Sequence, residues 1–128
     1  MLDKLKIPKC VASNSSHHYV TQCLGLTQTL KYFNQDAIFS SNQVSNPKPA
    51  PDLFLFAAKK MGIKPENCIV IEDSLAGAEA ATAAGMKVMM FLGGSHASFD
   101  WYRDRLAIHD VPMLSSCEEL LNAMQEIL

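Results

Sequence analysis

The 128 residues predict an α/β fold, a parallel sheet with helices on both faces, and three observations predict it. Short β-branched or apolar runs alternate with longer runs whose apolar residues recur at helical spacing. The run Cys68-Ile69-Val70-Ile71 is apolar on both faces, as a strand covered from both sides should be. Glycines stand where helical runs stop, at Gly25, Gly62 and Gly85. The length suits a single domain spanning residues 1–128, and neither a repeat nor a boundary is visible.

Lys9–Ser13 reads as a first strand, after which Ser15 and Ser16 suit the cap of a helix running to about Gly25. Asp36–Ser40 reads as a second strand. Ser45–Pro51 carries prolines at 47, 49 and 51, which remove amide donors and hold an extended loop. Pro51 and Asp52 fit a first helical turn, and Leu53, Phe54, Phe56, Ala57 and Met61 then recur at helical spacing up to Gly62. Beyond the Cys68–Ile71 strand and Glu72-Asp73-Ser74, six alanines between Ala76 and Ala84 make a small-residue helix closed by Gly85. Lys87–Phe91 is a fourth strand, Gly93–His96 a loop, Asp100–Ile108 a short helix, and Ser116 caps a last helix through Leu121, Met124 and Leu128. Strand–helix alternation implies right-handed crossovers.

Composition narrows the class. Eleven Lys and Arg against thirteen Asp and Glu give a net charge of −2, which argues against nucleic acid or an anionic membrane as partner. No apolar run nears the ~18 residues of a membrane span, and Met1–Pro8 has neither signal-peptide nor transit character. The four cysteines, Cys10, Cys23, Cys68 and Cys117, form no C-x-x-C pair and read as reduced, buried thiols of a cytoplasmic protein.

Ligands of an open parallel sheet gather beyond the carboxyl ends of its strands. Beyond the first strand stand Ser13, Asn14 and Ser15, where amides and a hydroxyl at a helix start suit an anion, although the same residue types serve as ordinary caps. Lys48 lies beyond the second strand in the proline-stiffened loop, suited to a phosphate or carboxylate, or simply solvated. Glu72 and Asp73 end the most apolar strand. Adjacent carboxylates there repel unless a lysine or cation compensates, and Mg²⁺ takes such oxygen ligands, although acids also complement a helix start.

With hydroxyl, lysine and acidic pair in this order, the chain resembles the haloacid dehalogenase superfamily, and most closely the subgroup of β-phosphoglucomutase and sugar-phosphate phosphatases. The resemblance is carried by Val11-Ala12-Ser13-Asn14-Ser15, by Lys48-Pro49-Ala50-Pro51-Asp52-Leu53-Phe54 as K-P-x-P-x-x-F, and by Ile71–Gly77 followed by Ala84-Gly85-Met86. It extends from about Lys9 to Phe91. It implies a three-layer Rossmann-like core and a Mg²⁺-dependent phosphohydrolase acting on a small phosphorylated metabolite such as a sugar phosphate. Ser13 and its neighbouring amides would hold phosphoryl oxygens. Lys48 would neutralise the phosphoryl group and the nucleophile, and Asp73 with Glu72 would hold Mg²⁺. Lys48 and Asp73 are thus the expected catalytic residues, and Ser13, Asn14, Ser15 and Lys48 the substrate-binding ones.

The sequence departs from the family at its first motif, D-x-D-G-T/V, whose aspartates supply the nucleophile and the general acid/base: it contains no D-x-D. The cap domain is also missing. The expectation is therefore a C-terminal portion of a core lacking its central N-terminal strand and inactive alone. The alternatives are a sugar-phosphate mutase or a non-catalytic module binding an anion or a partner. The open strand edges would be compensated by direct pairing, by a strand borrowed from the N-terminus, or by self-association. His17 and His18 read as exposed helix residues, His96 has only its loop position to place it near the site, and Trp101 and Tyr102 read as packing residues.

Overall fold

The computed structural model describes residues 1–107 and 110–128. Its elements in chain order are β1 (Val11–Ser13), α1 (His17–Leu26), β2 (Ile38–Ser40), α2 (Asp52–Met61), β3 (Ile69–Glu72), α3 (Leu75–Ala83), β4 (Lys87–Phe91), α4 (Asp100–Ala107), β5 (Met113–Leu114) and α5 (Cys117–Ile127), with short 3₁₀ turns between them. The α/β class and the parallel strands match the sequence expectation. Among the described residues no helix is long and apolar enough to cross a membrane.

Element bounds differ where local bonding intervenes. Lys9 and Cys10 fall outside β1, and the Lys9 ammonium turns back onto the Leu5 carbonyl at 2.9 Å. Asp36 and Ala37 belong to a 3₁₀ turn instead of β2, and α1 runs past Gly25 until Thr27 caps it on the Cys23 carbonyl. β3 starts one residue late and includes Glu72, because Glu72 keeps register with Met90 of β4. Pro51 is the N-cap of α2, and Gly62 ends that helix at φ +69°, a conformation costly for any residue with a Cβ. The short strand β5, in register through Met90↔Met113 and Phe91↔Leu114, was not foreseen. The end expected for α4, Ile108, lies outside the described residues.

The strands form two parallel groups, β1–β2 and β3–β4–β5, with no ladder between β1 and β3. Of the three alternatives expected to compensate the open edges, neither direct pairing nor a borrowed N-terminal strand closes this gap among the described residues. The N-terminal segment packs instead of pairing: Leu5 joins Met89, Leu120 and Met124 beneath the larger sheet, with Leu2 and Ile7 beside them. On the opposite face Ala78, Ala80 and Ala81 of α3 lie against Val70, Val88 and Met90, close enough because their side chains are single methyls. Helices thus cover both faces of the larger sheet. A third cluster, Phe39, Leu53 and Ala57, serves β1–β2.

Helix α2 belongs to both groups. Its i, i+4 pair Leu53/Ala57 faces the smaller cluster, and the adjoining pair Phe54/Ala58 faces the larger one. Ala12 packs against both clusters.

The thiols depart from expectation. All four cysteines are free, but Cys10, Cys23 and Cys68 are only half-buried and Cys117 is exposed. Burial, with the Cys68 thiol as a lesser cause, pushes the Cys10 thiol above its usual value. Burial and then Glu66 do the same to Cys68.

Candidate active site

The site is a chain of contacts across the carboxyl ends of the strands. At the end of β1, Ser13 Oγ accepts from the Ser15 amide at 3.1 Å, closing a tight side-chain turn. Ser16, not Ser15, caps α1 by accepting from the Tyr19 amide. Asn14 is engaged by the lysine loop: its Nδ2 donates to the Lys48 carbonyl at 3.0 Å, and its Oδ1 accepts from the Lys48 amide at 2.9 Å. Ser41, just beyond β2, donates its hydroxyl to the Asn14 carbonyl at 2.7 Å. The Lys48–Pro49 peptide is cis.

So anchored, Lys48 reaches across the gap between the strand groups. Its Nζ donates to the Ala12 carbonyl of β1 at 3.3 Å and forms an ion pair with Glu72 Oε1 of β3. Both side chains are only 9% exposed, so this is a desolvated pair. The Phe54 ring, 5.2 Å from Nζ, forms one wall of the lysine's channel. Glu72 Oε2 accepts from the Ser74 hydroxyl at 2.9 Å, and that hydroxyl accepts from the Gly77 amide at 3.1 Å, capping α3. The carboxylate lies so close to α3 that a Cβ on Gly77 would stand 2.0 Å from its Cδ. Gly77 is therefore the space that Glu72 occupies.

The adjacent acid points elsewhere. The Asp73 side chain is 56% exposed, and His96 Nε2 lies 3.3 Å from its Oδ2. The same nitrogen is 3.3 Å from the Asp73 carbonyl, to which the Tyr102 hydroxyl also donates. Burial first, then the charges of Asp73 and Glu72, raise the Tyr102 hydroxyl above the usual phenol value.

The structure thus links Ser13 to Ser15, Asn14 to the Lys48 peptide and the Lys48 ammonium to Glu72, with Asp73 following Glu72 in the chain and contacting His96 and Tyr102 instead. It also divides the acidic pair. Glu72 neutralises the lysine behind the site, and Asp73 alone presents a carboxylate to the open side. No group of three or more His, Cys, Asp or Glu among the described residues could by itself cage a metal. Glu72, expected as a metal ligand, has both oxygens engaged by Lys48 and Ser74, and the exposed Asp73 carboxylate is the group that fits Mg²⁺, which is commonly held by one or two carboxylates, waters and phosphate oxygens.

His17 and His18 are exposed on α1, as expected. Trp101 is not a packing residue: it is 59% exposed and stacks with Phe99 at 6.2 Å between centroids. Tyr102 does pack, yet its hydroxyl donates to the Asp73 carbonyl, a role no local pattern reveals because 29 residues separate the two.

A sequence model of the hydrolase family described as haloacid dehalogenase-like hydrolase matches residues 1–85. The 6-phosphogluconate phosphatase of Escherichia coli is 38% identical over 96 residues, covering 75% of this chain and 43% of that protein. A haloacid dehalogenase-like protein of unknown function from Agrobacterium tumefaciens superposes with a TM-score of 0.89 at 33% identity, over 98% of this chain and 57% of that one. A haloacid dehalogenase family hydrolase from Deinococcus radiodurans, solved with phosphate and sodium bound, gives 0.85 at 32% identity, over 98% and 55% of the two chains. The chain therefore spans about half the length of these relatives.

Proposed function

Since the chain belongs to the haloacid dehalogenase-like hydrolases, we propose that it provides the phosphoryl-binding and cation-binding part of a cytoplasmic, Mg²⁺-dependent phosphohydrolase acting on a small phosphate monoester such as a sugar phosphate. The observation that carries this is the Lys48 ammonium, held by Ala12 and Glu72 at the carboxyl ends of β1 and β3 and tied by its main chain to Asn14. The likeness to a 6-phosphogluconate phosphatase supports a phosphorylated small molecule as substrate.

In this reading Ser13 and the amides around Ser15 receive phosphoryl oxygens at the start of α1. Lys48 supplies a fixed positive charge as negative charge develops on the transferring group, and Glu72 holds that charge in place without being consumed. Asp73 is the cation's protein ligand on the open side, and Glu72 stands behind it. Mg²⁺, when bound, supplies charge neutralisation of the phosphoryl oxygens. The covalent step needs a nucleophile, which the resemblance assigns to the D-x-D motif, and this sequence contains none. The chain by itself is therefore a binding site without turnover.

The test is an amide NMR titration of the full chain with inorganic phosphate and Mg²⁺. Ser13, Ser15 and Lys48 should shift together with phosphate and lose the response in Lys48→Ala. Asp73 should respond to Mg²⁺ only at millimolar concentrations and not in Asp73→Asn. Saturable, Mg²⁺-dependent hydrolysis of an aryl phosphate that Asp73→Asn abolishes would refute the claim that turnover is absent. Shifts scattered away from these residues would refute the site.

A further inference from the structure

An exposed aspartate samples several rotamers, and a ligand that turns freely holds a cation poorly. Asp73 is exposed but is not free to turn. His96 Nε2 stands 3.3 Å from its Oδ2 and hydrogen-bonds to its carbonyl, also at 3.3 Å. The Tyr102 hydroxyl donates to that carbonyl as well. Both residues come from the segment after β4, a part of the chain distant from the phosphate and lysine motifs.

That segment is braced. The His96 and Tyr102 rings meet edge to face at 5.3 Å, Tyr102 packs on the core beneath the site, and Arg103 Nε donates to the Ala97 carbonyl at 2.7 Å. Gly94 gives independent support. Its φ of −78° and ψ of 151° suit any residue, so no backbone demand calls for glycine there. A Cβ on Gly94 would, however, stand 2.7 Å from His96 Cε1. The glycine makes room for the imidazole to fold back toward Asp73.

We propose that His96 and Tyr102 are positioning residues that hold Asp73 through its Oδ2 and its carbonyl, leaving Oδ1 directed to the divalent cation. This rests on the reading of Asp73 as the cation's ligand. Hydrogen-bonding partners of this kind typically alter metal affinity by about 10–100-fold when removed.

The test uses Mn²⁺ alone as probe, titrated into the full chain and followed by electron paramagnetic resonance, with the unfolding midpoint measured on the same samples. His96→Ala should weaken Mn²⁺ binding by about tenfold. Gly94→Ala should weaken it comparably although His96 remains, because the methyl displaces the ring. His96→Gln, whose amide N–H₂ reaches the place of Nε2, should restore binding, which a merely structural loss would not show. Tyr102→Phe should have a smaller effect in the same direction. If His96→Ala and Gly94→Ala bind as the wild type does while Asp73→Asn does not bind, the positioning role is wrong and the cation site stands. Failure of His96→Gln to restore binding also overturns the positioning role. If wild type and Asp73→Asn titrate alike, the cation site itself is wrong.

Discussion

The two strands that face the gap, β1 and β3, are less buried than their outer partners. β2 is buried at every position and β4 along most of its length, whereas β1 is only partly covered and Ile71 of β3 is 38% exposed. In a continuous sheet the inner strands would be the most enclosed. Here each group behaves as a small sheet whose edge turns toward the other. The groups also differ in how they are built. The β3–β4–β5 group rests on close alanine packing and is covered on both faces, whereas β1–β2 has a smaller cluster around Phe39, Leu53 and Ala57. The difference shows that backbone pairing does not join the halves. A shared helix, α2, and one desolvated lysine reaching from one half to the other take its place.

The strongest way to break that junction is to remove the lysine. Lys48→Ala leaves the buried Glu72 carboxylate without its counter-charge, and loss of about 3–5 kcal/mol is expected from urea unfolding. The double variant Lys48→Met/Glu72→Leu should recover most of it, because no unpaired charge remains. Next is α2. Phe54→Ala should cost about 3–5 kcal/mol and Leu53→Ala about 2–5 kcal/mol, one facing each half. If α2 unites the halves, both variants shift one common transition seen by circular dichroism and fluorescence. Two separated transitions would mean that the halves unfold independently.

A smaller change sharpens the role of Glu72. Gly77→Ala places a methyl where the carboxylate lies and should cost about 1–3 kcal/mol by overpacking. Its signature is specific: the Lys48 side-chain resonances should move with it, whereas an alanine substitution elsewhere in α3 should leave them in place. The weakest effect lies in the thiols. Cys117, being exposed, should react with a disulfide reagent before Cys10, which is half-buried and whose thiol is pushed up. A raised thiol means that the folded chain holds its proton more firmly. That stabilisation is complete below the unfolded thiol value and fades as pH rises through the folded one. Unfolding free energy should therefore fall slightly above about pH 8.5, and Cys10→Ala should flatten the slope.

Much of this arrangement was legible in the residues. Ser13 and the Glu72-Asp73 pair stand at strand ends in the sequence and do so in the structure, because apolar runs and the residues that interrupt them mark those ends, and Lys48 lies in the loop beyond β2 as its prolines require. What adjacent letters could not disclose was the division of labour between Glu72 and Asp73. Successive strand residues point to opposite faces, but which carboxylate meets Lys48 depends on a contact 24 positions away. Asn14 was expected at a phosphate, and its amide is instead paired with the peptide of Lys48. β5 was missed because two residues are too few to show a period. A strand borrowed from the N-terminus is one of the three expected alternatives, and that segment packs instead, with Leu2, Leu5 and Ile7 on the apolar floor under β4.

The paired bonds between Asn14 and Lys48 grip only the main chain of residue 48. They do not depend on what side chain that residue carries, so the position works as a socket. An arginine, a shortened amine or a synthetic side chain fitted there would be presented from the same backbone anchor, its direction already chosen. The converse holds for position 14, where only a carboxamide offers a donor and an acceptor at that spacing. Aspartate would accept from the amide but set a negative charge against the carbonyl. In directed diversification, then, residue 14 is a place to leave alone, and residue 48 is free to change only in how it delivers a positive charge to the buried Glu72.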